Sequence, residues 1–125
     1  MIKEMEISVV IPAYNEENRI VPTIDTIKKY LNKHSKNYEI IIIDDGSKDA
    51  TYSLLFNKYM KDERITVLRN EKNRGKGFSV KRGFLKAKYS LVLFTDSDLA
   101  TPLEELDKMV PLIKANDIII ASRNM

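Results

Sequence analysis

Two aspartates one residue apart, Asp96 and Asp98, are the pair in this sequence best suited to bind a metal ion. They follow the apolar segment 90–94, which predicts a buried β-strand. In an extended chain, residues i and i+2 project to the same side, so both carboxylates can face one ligand. A cation relieves their mutual repulsion, and ligands that are all oxygen favour Mg²⁺ or Mn²⁺ over zinc. The alternative is a solvated acidic turn that caps a helix beginning near Thr101.

A second acidic pair, Asp44 and Asp45, directly follows the isoleucine run 40–43. Gly46 and Ser47 come next, an order typical of a turn that leads into the N-cap of a helix. That interpretation does not require two adjacent carboxylates. A carboxylate here could also accept the N–H of a uracil or guanine ring in a charge-assisted hydrogen bond.

The segment 73–77, Asn-Arg-Gly-Lys-Gly, is a small basic loop with glycines at positions 75 and 77. Backbone N–H groups in such a loop, followed by a helix N-terminus, suit a phosphate. The spacing is neither that of a Walker A loop nor G-x-G-x-x-G, so an ordinary basic turn is the alternative. Arg123 could clamp a diphosphate through its planar guanidinium, or it could simply be solvated.

Five short apolar runs must position these residues, at 7–11, 38–43, 65–68, 90–94 and 117–121. Their continuous apolar character is typical of strands that are covered on both faces. The segments between them have helical spacing, so the sequence predicts an α/β fold with a parallel, doubly wound sheet. Four apolar stripes define the helices, namely Ile20, Ile24, Ile27 and Leu31; Tyr52, Leu55, Phe56 and Tyr59; Phe78, Phe84 and Leu85; and Leu103, Leu106, Val110 and Ile113.

Polar residues follow four of the five predicted strands. In open α/β sheets, ligands bind beyond the carboxyl ends of the strands, so we expect these residues to form one site. They lie at 12–16, 44–47, 95–98 and 122–124.

Size and composition exclude several other classes of protein. A chain of 125 residues is one domain by the usual size prior, and the absence of cysteine excludes disulfides, thiolate metal sites and a cysteine nucleophile. The formal net charge of +3 is modest, and no dense basic block suggests a nucleic-acid partner. No apolar run approaches the ~20 residues that span a bilayer. We therefore expect a cytoplasmic protein, at most peripheral at the membrane face.

Taken together, these segments resemble the GT-A family 2 glycosyltransferases, most closely the dolichyl-phosphate glucosyltransferase and mannosyltransferase branch. The matching segments occur in family order and are Val-Val-Ile-Pro-Ala-Tyr-Asn-Glu at 9–16, Ile-Asp-Asp-Gly-Ser at 43–47, Asn-Arg-Gly-Lys-Gly at 73–77, Asp-Ser-Asp-Leu-Ala-Thr-Pro at 96–102 and Ala-Ser-Arg at 121–123. The resemblance implies a three-layer, Rossmann-like GT-A domain that binds a nucleotide sugar.

The resemblance also implies roles for particular residues. The metal ligands would be Asp96 and Asp98, which with Arg123 form the catalytic set. The substrate-binding set would be Pro12, Ala13, Tyr14 and Glu16 around the nucleoside, Asp45 at the base, Lys76 at ribose or phosphate, Asp96 at the ribose and Arg123 at the diphosphate, together with Asp44 and Gly75.

The implied reaction transfers a hexose from UDP-glucose or GDP-mannose to a polyprenyl (dolichyl) phosphate, with Mg²⁺ or Mn²⁺ and with inversion at the anomeric carbon. Family members continue well beyond the segment 121–123 into an acceptor-binding half. We therefore expect residues 1–125 to be the donor domain without that half, and we expect the surface left uncovered to favour self-association.

Two other functions fit parts of the pattern. A module of this kind could bind a nucleotide sugar without transferring it. A receiver-type signalling domain also has an acidic pair after one strand and an acceptor aspartate after a later one, which Asp44, Asp45 and Asp96 imitate. A receiver places the acidic pair after its first strand, however, whereas here the run 7–11 precedes it.

Overall fold

Strands and helices alternate along the chain, as the apolar runs predict. The computed structural model describes residues 6–95 and Ser97, and the backbone of residues 118–121. The elements are β1 (Glu6–Ala13), α1 (Ile20–His34), β2 (Asn37–Asp44), α2 (Thr51–Tyr59), β3 (Ile65–Arg69), α3 (Lys76–Lys86), β4 (Leu91–Thr95) and β5 (Ile118–Ala121). All five predicted strands are confirmed, as are the first three helices.

The strands form one parallel sheet in the order β3-β2-β1-β4-β5. The chain adds strands on one side of β1 up to β3 and then crosses to β4 on the other side. The register aligns Ala13 with Asp44, and Asp44 with Arg69, so three strands end at one level. The order reverses between β1 and β4, and ligands of doubly wound sheets bind in the crevice at such a reversal.

Each face of the sheet packs against its own helices, which explains why the strands are apolar throughout. In β1, Val9 and Ile11 join one core cluster, together with residues of α1 and α2. Val10 belongs to a second cluster, against which Val80 of α3 packs. Successive side chains of a strand point to opposite faces, so both sets of residues must be apolar. The result is the predicted three-layer arrangement.

The first helical stripe is confirmed, because Ile20, Ile24, Ile27 and Leu31 are all fully buried in α1. The second is correct only in part. Leu55 and Tyr59 are buried in α2, but Phe56 is 43% exposed and Tyr52 is only partly buried. The fourth stripe, from Leu103 to Ile113, lies outside the described residues.

The apolar face predicted for α3 is wrong. Phe78, Phe84 and Leu85 are exposed, whereas Gly83 and Ser79 are buried. A Cβ atom at position 83 would lie 2.3 Å from Val10 Cγ1 and 2.7 Å from a methyl carbon of Ile43. The glycine that lowers helix propensity is therefore the residue that lets α3 approach the sheet.

A polar cluster closes the opposite, amino edge of the sheet. Ser8 Oγ donates to Glu39 Oε2 at 2.6 Å, and the Lys88 N–H donates to the same oxygen at 2.7 Å. Both Ser8 and Glu39 are buried. This carboxylate links β1, β2 and the segment before β4, so its role is structural.

None of the helices in the described part of the chain is long and apolar enough to span a bilayer.

We expect Gly83→Ala to lower the free energy of unfolding by about 1–3 kcal/mol, because the added methyl overlaps Val10 and Ile43. Gly77→Ala in the same helix is the matched control, since no atom lies within 4 Å of the added methyl. That control should raise stability by up to about 1 kcal/mol through helix propensity. Denaturant unfolding of both variants measures the difference, and equal effects would contradict the packing argument.

Ion pairs join α1 to α2 and to the turn that follows it. Lys28 Nζ donates to Asp62 Oδ2 at 2.5 Å, and Lys58 Nζ donates to Asp25 Oδ2 at 2.9 Å. Partial burial favours the neutral Asp62 carboxyl. The hydrogen bonds from Lys28 and the Arg64 N–H outweigh burial and hold the pKa of Asp62 below its ordinary value of 3.8.

Because its pKa is lower in the folded chain, Asp62 stabilises the fold above its unfolded-state pKa and loses this effect as pH falls through the folded value. We expect Asp62→Asn to lower the melting temperature at pH 7, and to lower it much less at pH 3. Glu63→Gln is the control, since Glu63 has no ion pair within the described ranges. A pH-independent effect of Asp62→Asn on the melting temperature would refute the assignment.

Candidate functional site

Two loops at the carboxyl edge of the sheet are joined by hydrogen bonds from backbone N–H groups to side chains. The Asn15 N–H donates to Ser47 Oγ at 2.9 Å, and the Lys48 N–H donates back to Asn15 Oδ1 at 2.9 Å. The Glu16 N–H donates to Thr51 Oγ1 at 2.8 Å. Asn15 has φ of 53°, in the left-handed region that asparagine tolerates better than most residues. These bonds fix the loop after β1 against the loop after β2.

The Glu16 side chain extends this connection to β4. Its Oε2 accepts a hydrogen bond from Ser97 Oγ at 2.9 Å, and its Oε1 pairs with Arg19. The bond to Ser97 crosses the point at which the strand order reverses. It therefore places the end of β1 next to the segment that carries Asp96 and Asp98, although these two aspartates lie outside the described residues.

Asp45 is a buried carboxylate at this edge that accepts hydrogen bonds from three residues. It is 4% exposed, and its Oδ1 accepts hydrogen bonds from Asn70 Nδ2 at 2.9 Å and the Arg74 N–H at 2.7 Å. Its Oδ2 accepts the Gly75 N–H at 3.0 Å. A carboxylate has about four acceptor positions. Asp45 thus holds the basic glycine loop and keeps capacity on Oδ2 for one more donor.

Gly46 lets that same loop pack directly on the turn after β2. It has φ of +71°, and a Cβ atom there would lie 2.5 Å from the carbonyl carbon of Lys72 and 2.6 Å from Asn73 N. Both the backbone conformation and the space therefore require glycine. The turn after β2 and the loop after β3 form one packed unit.

Asp44 has unused hydrogen-bonding capacity. It is fully buried, and its Oδ2 accepts the Ser47 N–H at 3.2 Å and lies 3.6 Å from Arg69 Nε. Its Oδ1 has no hydrogen-bond partner among the described residues. The turn that follows β2 explains the hydrogen bond to Oδ2. Oδ1 can still accept a hydrogen bond, and a buried acceptor gains most from one.

Asn70 is a residue of this site that sequence reasoning missed. It is buried; its Nδ2 donates to Asp45 and to Ser79 Oγ, and its Oδ1 accepts from Arg82. Asn70 directly follows β3, so it is a further polar residue at a strand end. Its importance depends on β3 lying beside β2, which the sequence pattern alone does not show.

An exposed aromatic residue directly follows β1. Ala13 is buried and its carbonyl accepts the Asp45 N–H at 2.8 Å, whereas Tyr14 begins the loop and is 39% exposed. An exposed aromatic ring one residue after this backbone contact suits a planar ligand.

The oxygen-only donors of this edge fit a hard divalent cation and do not fit a thiolate or imidazole metal. Ser97, between the two aspartates, lies beside the Glu16 carboxylate. No group of three potential ligand side chains gathers within the described ranges, which do not include Asp96 or Asp98.

The model of the Glycosyl transferase family 2 domain matches residues 8–125. The chain belongs to this family. The resemblance deduced from its motifs is thereby confirmed, and the receiver-type alternative is wrong. Receiver domains have the strand order 2-1-3-4-5, which differs from the order found in this sheet.

Curated relatives of this glycosyltransferase family 2 chain include dolichyl-phosphate beta-glucosyltransferases. The dolichyl-phosphate beta-glucosyltransferase of Dictyostelium discoideum is 39% identical over 98% of this chain and 41% of its own length. The Homo sapiens protein of that name is 36% identical over 83% of this chain and 34% of its own length. The chain thus spans about two fifths or less of these relatives.

Solved structures confirm the GT-A fold of this family 2 chain. Glucosyl-3-phosphoglycerate synthase from M. tuberculosis matches with a TM-score of 0.66 and 29% identity, over 89% of this chain and 42% of that one. The mannosyltransferase PcManGT from Pyrobaculum calidifontis, in complex with GDP-Man and Mn²⁺, matches with a TM-score of 0.67 and 24% identity, over 76% of this chain and 28% of that one.

The structure brings most of the predicted site residues to one edge of the family 2 domain. Those at the ends of β1 and β2 and at the start of α3 are Pro12, Ala13, Tyr14, Glu16, Asp44, Asp45, Gly75 and Lys76. Asp96, Asp98 and Arg123 lie outside the described residues. Contact of any of these residues with a ligand stays a prediction.

We expect Asp45→Asn to release the loop 73–75, because one amide oxygen cannot accept from three donors. Losing a hydrogen bond to a charged group should speed amide exchange at Arg74 and Gly75 by about tenfold or more. Asp25→Asn in α1 is the control. Unchanged exchange at both amides in Asp45→Asn would show that the carboxylate does not hold the loop.

Proposed function

We propose that this chain is the donor-binding part of a metal-dependent, inverting glycosyltransferase that transfers a hexose from UDP-glucose or GDP-mannose to a polyprenyl (dolichyl) phosphate. The observation that carries the proposal is the meeting of β1 and β4 at the reversal of strand order, where Ser97 donates to Glu16. This contact supports a site shared between the nucleoside-binding loop and the segment with the two aspartates.

The base is the ligand group best supported by the geometry. Asp45 Oδ2 has capacity for one more donor, and Asp44 Oδ1 has no partner among the described residues. The Asp45 acceptor could bind the ring N–H of uracil or guanine, whereas Asp44 is fully buried. A charge-assisted hydrogen bond of this kind would distinguish these bases from cytosine, whose ring nitrogen is an acceptor. Tyr14 is exposed enough to contact the flat face of the same base.

The relatives favour a glucosyl donor, since those from Dictyostelium discoideum and Homo sapiens are named dolichyl-phosphate beta-glucosyltransferases. GDP-mannose is the second candidate donor, because one structural neighbour is a complex with GDP-Man and Mn²⁺. We therefore place UDP-glucose first.

Catalysis would depend on charge at the leaving group. A divalent cation held by Asp96 and Asp98 would supply neutralisation of the charge that develops on the departing nucleoside diphosphate. Lys76, at the start of α3, and Arg123 would contribute positive charge at ribose or phosphate and at the diphosphate. Pre-positioned charges of this kind are a large part of enzymatic rate enhancement.

The acceptor needs less activation than a sugar hydroxyl, because a phosphate is already anionic at neutral pH. Its oxygen would form the new bond to the anomeric carbon as the bond to the diphosphate breaks, which inverts that centre. No described residue is assigned as a general base. A lipid-linked acceptor would also bring a cytoplasmic protein into peripheral contact with the membrane.

Calorimetric titration with UDP-glucose and with GDP-mannose, each with and without Mn²⁺, tests donor binding. We expect metal-dependent binding of UDP-glucose. Asp98→Ala should lower the affinity for UDP-glucose by about 10–100-fold or more. Removing even a partner in a metal's outer shell typically has an effect of that size. Asp62→Ala, remote from the site, is the control.

Turnover is tested by release of UDP in the presence of a polyprenyl phosphate. Binding without turnover would favour the second function, a non-catalytic nucleotide-sugar-binding module. If neither donor binds with or without metal, the proposed donor site is wrong.

A further inference from the structure

A basic pocket lies beyond the carboxyl end of β3, next to the site described above; Asn70 lines the pocket and also donates to Asp45. Its volume is about 280 Å³, and its charged lining consists of Arg69, Lys72, Arg74 and Arg82 with the single carboxylate Glu71. None of the described residues assigned to the donor lines it. The pocket is thus a separate concentration of positive charge in a protein of modest net charge.

Neighbouring groups hold each of the three guanidinium groups in place. Arg82 Nη1 donates to the Arg69 carbonyl at 2.8 Å and to Asn70 Oδ1 at 2.9 Å. The guanidinium carbon of Arg74 lies 4.4 Å from the ring centre of Phe78. The guanidinium carbon of Arg69 lies 4.7 Å from the ring centre of Tyr52. Cations ordered in advance lose less conformational entropy when a ligand binds.

The backbone that carries Lys72 and Arg74 is equally constrained. Asp45 accepts the Arg74 N–H, and the main chain at Lys72 packs on Gly46. Within the described part of the chain, Arg82 donates its hydrogen bonds through Nη1 alone. Its remaining N–H groups are available for a ligand, so the pocket is a fixed arrangement of donors.

The charge of the pocket favours an anion. Cations that line one space repel each other, and an anion bound among them relieves that repulsion. Asp44 is the carboxylate paired with Arg69, but it is fully buried at the end of β2 and 3.6 Å away. The planar guanidinium fork matches the geometry of phosphate oxygens, with two parallel hydrogen bonds to one group.

One face of α3 lines this pocket. Ser79 and Gly83 form the buried face of the helix, against the sheet. Phe78 and Arg82, also one turn apart, form the neighbouring face and line the pocket. The described residues assigned to the donor differ from those that line the pocket, and the loop after β3 contributes residues to both.

We propose that this pocket binds a phosphate group, carried either by a free phosphate anion or by the headgroup of a lipid. The proposal goes beyond the donor function and does not depend on it.

The first arm of the test follows amide chemical shifts of the 125-residue chain during titration with inorganic phosphate at constant ionic strength. We expect saturable shifts around residues 69–74 and 82. Arg69→Gln/Lys72→Gln should weaken binding by about tenfold or more, since two charge-assisted contacts are removed. Lys33→Gln/Lys61→Gln removes the same charge from other exposed positions and should leave the affinity unchanged.

The second arm measures co-sedimentation with phosphatidylcholine vesicles that contain phosphatidic acid. Selective loss of binding in Arg69→Gln/Lys72→Gln supports the pocket in whichever arm it occurs, and that arm identifies the source of the phosphate. If the double variant does not fold, Arg74→Gln replaces it, because the backbone bond from residue 74 to Asp45 is kept.

Two results would overturn the proposal. One is equal binding by the pocket variant and the control in both arms. The other is loss of phosphate binding in Lys76→Gln but not in the pocket variant, which would place the anion at the donor site.

Discussion

A single buried aspartate organises the carboxyl edge of the sheet. Asp45 connects four elements: its N–H bonds to the last residue of β1, its side chain binds the amide of Asn70 after β3, and it accepts two N–H groups before α3. Removing a negative charge from water is costly unless donors replace the hydration. The donors that do so here are the backbone of the basic loop, so the stability of the carboxylate and the shape of the site depend on the same bonds.

The two edges of the sheet use buried carboxylates differently. At the amino edge, Glu39 accepts from Ser8 and from the Lys88 N–H, and its role is confined to structure. At the carboxyl edge, Asp44 and Asp45 make structural bonds yet keep acceptor capacity. The register of the parallel strands brings Ala13, Asp44 and Arg69 to one level, and Asp45 directly follows.

The sequence predicted the strands well because both faces of a parallel sheet are covered, which makes each strand a continuous apolar run. Helix faces were harder to predict. Phe78 and Phe84 look like core residues by hydrophobicity, but Gly83 alone fits the narrow space above Val10 and Ile43. Asp45 was singled out as a ligand for a base, but its part in holding the loop was not foreseen. Its partner Asn70 is 25 positions away along the chain, and only the strand order brings them together.

The close contact at Gly46 also defines the smallest exchangeable unit of this fold. Because the main chain at Lys72 and Asn73 rests on that glycine, the turn 44–47 and the loop 70–75 fit only as a matched pair. If only one of these segments is replaced by that of a homologue with another nucleotide preference, it will not fit the other segment. Recombination between family members should therefore succeed when both segments are inherited from one parent, even though two elements, α2 and β3, separate them in the chain.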